Sequence, residues 1–234
     1  MDYKLRLLEL LKQQEFPDKV AVAFSGGIDS SVVAFFASKK ASVNLYTAGV
    51  PGCHDFASAE HSAKLLRLNL REIEVEGSIK EHIDTLSNIV GVNDNFVLSY
   101  LLPVYFVAGS CEEEAIVLGA GADELFGGYA KYLRIENKEE EMKKDYDRLV
   151  KNSFEVKIAK YFRKKLIMPF LNKEIIEFAF SLPLNLKINN GIRKYILREV
   201  ARMVIPEEIV EKPKKAAQYG SGLLKKINKL ITTP

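Results

Sequence analysis

Hydrophobic positions change their period along this chain, and each change marks an element. Residues 1–14 intersperse apolar side chains with charges as an amphipathic helix does. Val20 to Phe24 is short, β-branched and aromatic, which predicts a strand. After Asp29 the pattern shifts, and Val32, Val33, Phe35, Phe36 and Ala37 recur at spacings that suit a buried helix. Val43 to Ala48 and Leu70 to Val75 return to strand character, separated by an amphipathic stretch from Asp55 to Leu68. Helical patterns continue to about Cys111, and a last strand-like run, AIVLG, covers Ala115 to Gly119. Four such runs interleaved with helices predict a doubly wound α/β fold, a parallel sheet covered on both faces, with ligands at the carboxyl ends of the strands. Past Tyr129 the chain is charged and helical in pattern without a clear strand run. The expected organisation is an α/β core over residues 1–130 and a helical subdomain over residues 131–234 that completes the site.

Composition narrows the function classes. The 234 residues are 47% hydrophobic, enough for a large core and against disorder. Thirty-four basic side chains against 31 acidic ones leave a formal charge of +3, too little for a strong field toward nucleic acid or membranes. Neither is expected as a partner, although EKPKKAAQYGSGLLKKINK is locally basic. Cys53 and Cys111 lack the spacing of a metal or redox pair, so reduced thiols and a cytoplasmic location are expected. The N-terminus has no signal-peptide pattern. The most apolar stretch, Phe96 to Cys111, falls short of the roughly 20 residues that span a bilayer and contains Pro103. It predicts a buried, kinked helix. An apolar patch on the helical half would suit a homodimer, which periodicity does not separate from core.

The turn VAVAFSGGIDSS carries chemistry. Gly26 and Gly27 let backbone approach a ligand, and the free amides of the next helix attract an anion. A nucleoside-triphosphate loop that ends in Gly-Lys-Ser/Thr uses its lysine on phosphate, and this loop has none. It offers Ser25, Ser30 and Ser31, with one carboxylate, Asp29, that would repel phosphate unless a divalent cation lay between them. The loop therefore suits magnesium-bound pyrophosphate. GAGADELFGGYAKY follows AIVLG as the first motif follows VAVAF, with Gly119 and Gly121 permitting a turn and Asp123 and Glu124 opening a helix. Asp123 there either caps the helix or shares one magnesium with Asp29. A third turn, Gly49 to Gly52, could meet a flat base or simply precede a helix capped by Asp55. His54, His61 and His82 have no metal-ligand spacing and read as surface or capping residues.

These residues resemble a family. SGGIDSS is similar to the pyrophosphate-loop signature of adenine-nucleotide enzymes that cleave ATP between the α and β phosphates, and GAGADELFGGY resembles the second motif of the synthetase domain of asparagine synthetases. MPFLNKEIIEFAFSLPLNLKINNGIRKYILREVA resembles that domain's PFLD segment and Lys-x-x-Leu-Arg helix, and IPEEIVEKPKK resembles its lysine-bearing segment. The match runs in order from Val20 to about Gly222. It implies a Rossmann-like sheet of the adenine nucleotide alpha-hydrolase type and an ATP- and magnesium-dependent amide synthetase. A small-molecule carboxylate, aspartate among the candidates, would be activated as an acyl-adenylate with release of pyrophosphate, and ammonia would displace AMP. By motif position Lys214, or else its neighbour Lys215, matches the catalytic lysine, and Asp123 and Glu124 complete the implied catalytic set. Phe24 and Ala48 match adenine contacts made through backbone, and amides near Leu118 and Gly119 match a substrate or phosphate contact.

The sequence departs from the family where substrate chemistry lies. Ala120 stands in place of Glu in Gly-Glu-Gly-x-Asp-Glu, and Asn172 in place of Asp in PFLD. Glu124 or Glu155 could supply the carboxylate missing at Ala120. Asp2 stands where the family's glutaminase domain has its cysteine nucleophile, so the resemblance implies free ammonia, a separate glutaminase subunit, or an amine on the substrate. Two other readings are an RNA-modifying enzyme with the same loop and a nucleotide-binding protein without catalysis.

Overall fold

The computed structural model describes residues 2–212 and 220–232. Its main sheet is built around β1 (Lys19–Ala23), where Val20, Ala21 and Val22 are wholly buried. Such a run is buried on both faces, and the two faces lead to different cores: Val20 and Val22 pack in one, Ala21 in the other. Beside β1 lie β2 (Ser42–Gly49) and β4 (Ala115–Val117), with β3 (Asn69–Glu74) beyond β2. All pair in parallel.

The expectation of four strands, with none after residue 129, is corrected by the structure. Lys165–Ile167 forms β5, parallel to β4, and completes the order β3-β2-β1-β4-β5. Three residues that begin on a lysine and run into Met168-Pro169 are too few for period-two alternation to show. The second half of the chain therefore contributes to the sheet as well as to the helices. A hairpin was also missed: β6 (Ile188–Asn189) and β7 (Ile192–Arg193) flank Asn190-Gly191, both at positive φ, as a type I′ turn demands.

Helices α1 (Tyr3–Lys12), α2 (Ile28–Ser38) and α3 (His54–Leu66) feed the first core. On the opposite face, α4 (Lys80–Val90) and α5 (Asn95–Ser110) feed the second. The apolar stretch forms a buried helix: α5 contains Pro103, is capped by Asp94, and buries Leu98, Leu101 and Leu102. No single helix among the described residues is long and apolar enough to cross a membrane. Short α6 (Ala122–Phe126) follows β4, and α7 (Lys138–Asn152), α8 (Phe154–Tyr161), α9 (Lys173–Ser181) and α10 (Leu184–Lys187) precede the hairpin. After it come α11 (Tyr195–Ala201), α12 (Glu207–Val210) and α13 (Leu223–Thr232). The carboxyl ends of β1 and β4 thus face the entry to α11, where the site lies.

Candidate active site

The first loop is shaped by glycine and clamped by α3. Gly26 has φ +71°, and a Cβ there would sit 2.3 Å from the carbonyl oxygen of Ser58, so only glycine lets α3 pack this close. Two hydroxyls hold the loop's carbonyls: Ser58 Oγ donates to Ser25 O at 3.0 Å, and Ser62 Oγ to Gly26 O at 2.8 Å. Those carbonyls thus face α3. Gly27 opens α2 without a side-chain cap, so the first-turn amides have no hydroxyl or carboxylate from the capping residue. Ser30 Oγ donates to Gly27 O at 3.1 Å and lies 3.4 Å from Ser25 Oγ. Ser31 Oγ is buried with no hydrogen-bond partner among the described residues.

The second loop lies against the first. A Cβ on Gly119 would fall 3.0 to 3.1 Å from the Asp29 carbonyl carbon, Asp29 Cβ and Ser30 N, so the two motifs share one sheet edge. Gly121, at φ +92°, then opens α6 and carries Asp123 into its first turn. Between the two carboxylates stands a residue whose role the motifs did not reveal. Lys194 Nζ lies 2.5 and 2.6 Å from the oxygens of Asp29 and 2.7 Å from Asp123 Oδ1, with only 3% of the lysine exposed.

The hairpin delivers this lysine. Lys194 leaves β7 at φ 57° to open α11, while Arg193 Nη1 donates to Gly128 O at 2.6 Å. Arg193, Lys194 and Arg198 line the cavity over the first loop, joined by Lys212 from the chain after α12. Burial holds Arg198 and Lys212 below their ordinary values. Lys212 donates to Ser58 O at 2.9 Å, and His54 and Asp55 of the same helix also line the cavity. His54 is therefore a cavity residue rather than only a surface one, its Nδ1 3.6 Å from Asp55 Oδ1. Nor does Asp55 cap α3; the capping position belongs to Cys53, and Asp55 sits in the first turn.

Other expected positions divide. Phe24 and Ala48 are buried at the ends of β1 and β2, with the Phe24 amide donating to Tyr46 O at 2.7 Å. The Leu118 amide donates to Ile167 O at 2.9 Å, so it is spent on the sheet and unavailable to a ligand. Glu124 does not reach the cavity wall. It is buried and accepts from Tyr129 Oη at 2.5 Å, and burial raises its pKa. Burial also raises Glu155, and Tyr100 is pushed up to about 12, first by burial and then by the charges of Glu155, Asp94 and Glu124. Asn172 caps α9, its side chain accepting from Glu174 N at 3.0 Å, a task Asn performs as well as Asp. Lys214 and Lys215 lie outside the described residues; on either side, Lys212 and Gly220 both contact α3.

The donor set accommodates a cation. Asp29 and Asp123 already share one positive charge, the Lys194 ammonium. Among the described residues no third His, Cys, Asp or Glu joins them to make a protein-only metal site. Two carboxylates beside a polyanion cradle suit magnesium, which keeps water and phosphate oxygens in its shell.

A parallel sheet with a lysine-free glycine-serine loop, paired carboxylates and a cationic cavity defines a nucleotide-binding α/β protein of the pyrophosphate-loop class. Comparison with known proteins agrees: the Asparagine synthase family model matches residues 12–166 and 156–232, and the chain belongs to that family. It is 34% identical over 265 residues to a Methanocaldococcus jannaschii protein assigned by name as a glutamine-hydrolysing asparagine synthetase, covering 94% of this chain and 49% of that one. Carboxyethyl-arginine beta-lactam-synthase of Streptomyces clavuligerus is 27% identical over 223 residues, covering 92% and 43%. The chain thus spans about half the length of these relatives. The structure of NMN synthetase from Francisella tularensis aligns with a TM-score of 0.47 at 12% identity, over 93% of this chain and 76% of that one.

Proposed function

We propose that this chain is an ATP-dependent amide synthetase that activates a carboxylate as an acyl-adenylate, releases pyrophosphate, and passes the acyl group to ammonia with loss of AMP. The observation that carries the reading is the convergence of Asp29, Asp123 and Lys194 over the Ser25–Ser31 loop. In this reading the amides opening α2, with Ser25 and Ser30, bind the β and γ phosphates. Arg193, Lys194 and Lys212 balance the charge that grows on pyrophosphate as it leaves. Asp29 and Asp123 would hold magnesium, which when bound neutralises the same leaving group. Lys214 is the proposed further cation at the α phosphate, and backbone at Phe24 and Ala48 the proposed adenine contact.

The carboxylate and the amine are chosen elsewhere in the cavity. Ala120 offers no carboxylate to orient ammonia, and neither Glu124, turned to Tyr129, nor Glu155 lines the cavity over the first loop. Ammonia would come free or from a separate glutaminase subunit. The test is a panel of carboxylates led by aspartate, and including β-amino acids that carry their own amine, incubated with magnesium, ATP and ammonium. An amide found by mass spectrometry, formed one-for-one with AMP, supports the reading; ATP consumption that no carboxylate stimulates counts against it.

A further inference from the structure

We propose that Lys194 is a resident cation that occupies the divalent-metal position between Asp29 and Asp123 and makes metal uptake conditional on a polyphosphate. The inference rests on the magnesium and nucleotide reading above and adds an order of events to it. One ammonium lies within 2.5 to 2.7 Å of both carboxylates and is out of water, so the pair is held together by a charge the protein itself supplies. The position is built in. Lys194 adopts the left-handed region that β-carbon sterics disfavour, and a Cβ on Gly128 would meet Lys194 Cε at 2.2 Å and Asp123 Oδ1 at 1.8 Å. The lysine therefore threads past a glycine to reach its partners.

A metal ion bound to both carboxylates takes oxygens at about 2.0 to 2.1 Å and needs the volume that Nζ fills. The ammonium must then turn into a cavity already lined by Arg193, Arg198 and Lys212. Like charges oppose that move when a bare divalent ion arrives. When the ion arrives with polyphosphate, the displaced ammonium gains phosphate oxygens as partners and the opposition disappears. Metal and nucleotide are thus taken up together.

Manganese retained on the protein side in equilibrium dialysis, over that held by the nucleotide alone, tests this without turnover. Wild-type protein should leave manganese free when it is added alone and bind it once α,β-methylene-ATP is present. Lys194→Met removes the charge but keeps much of the side-chain length. It should bind manganese without nucleotide, by about tenfold or more over wild type, and the gain should vanish when Asp29→Asn is added. Wild type that binds manganese alone as tightly as with the analogue overturns the proposal, a result that needs no variant. So does a folded Lys194→Met that gains nothing. If wild type takes up no manganese even with the analogue, the metal-nucleotide reading itself fails, and the two failures are told apart.

Discussion

Lys194 Nζ lies 2.5 Å from Asp29 Oδ2, across 165 residues of sequence. The contact ties the hairpin to the first loop and couples the second half of the chain to the chemistry of the first. Asp29→Asn keeps the shape and removes the charge, while Asp123 still balances the lysine. Turnover should fall by about 100- to 1,000-fold, as for loss of one group that stabilises transition-state charge. Stability should fall by no more than about 2 kcal/mol. Steady-state kinetics and thermal unfolding of the same preparation check both.

Gly26 separates a packing effect from a chemical one. Alanine there must adopt a positive φ and meet backbone, not a flexible side-chain tip, because Ser58 O stands 2.3 Å from the added carbon. Gly26→Ala should cost about 1–3 kcal/mol in denaturant unfolding and weaken ATP binding with it. Gly128→Ala acts on the site itself, since its Cβ would invade Asp123 Oδ1 and Lys194 Cε. That variant should lose activity by at least about tenfold, the effect of displacing positioned groups. Melting temperature against kcat separates the two.

Glu113 gives an acid-stability prediction at the other end of the sheet. It is buried, which raises its pKa, but Asn44 at 2.6 Å and Tyr46 at 3.0 Å hydrogen-bond the carboxylate and hold the net value below the ordinary 4.5. A depressed folded-state value means the contribution is present above about pH 4.5 and is lost as pH falls through and below that value. Glu113→Gln should therefore destabilise at neutral pH and converge on wild type toward pH 3, with unfolding curves measured at several pH values. A constant difference across that range would contradict the assignment.

The legible parts of the sequence were those written locally. VAVAF and AIVLG announce buried strands, and the glycines and acids after them announce the two loops, so the sheet edge that carries Asp29 and Asp123 could be read directly. β5 could not be, because three residues hold too little pattern and its strand character comes from pairing with β4. Lys194 was visible only as the lysine of a Lys-x-x-Leu-Arg run, and its meaning depends on a partner no local window contains. Asn190-Gly191 was the available signal for the hairpin that positions it. Where Glu124 points could not be read either: proximity in sequence to Asp123 says nothing about which side of a five-residue helix a carboxylate faces, and the structure turns it to Tyr129.

The most direct test of the account is to follow ATP with the protein, magnesium, ammonium and its best carboxylate by phosphorus NMR. AMP and pyrophosphate should rise together, at equal rates, and only when the carboxylate is present. ADP with inorganic phosphate would place the cleavage at the γ phosphate and contradict it.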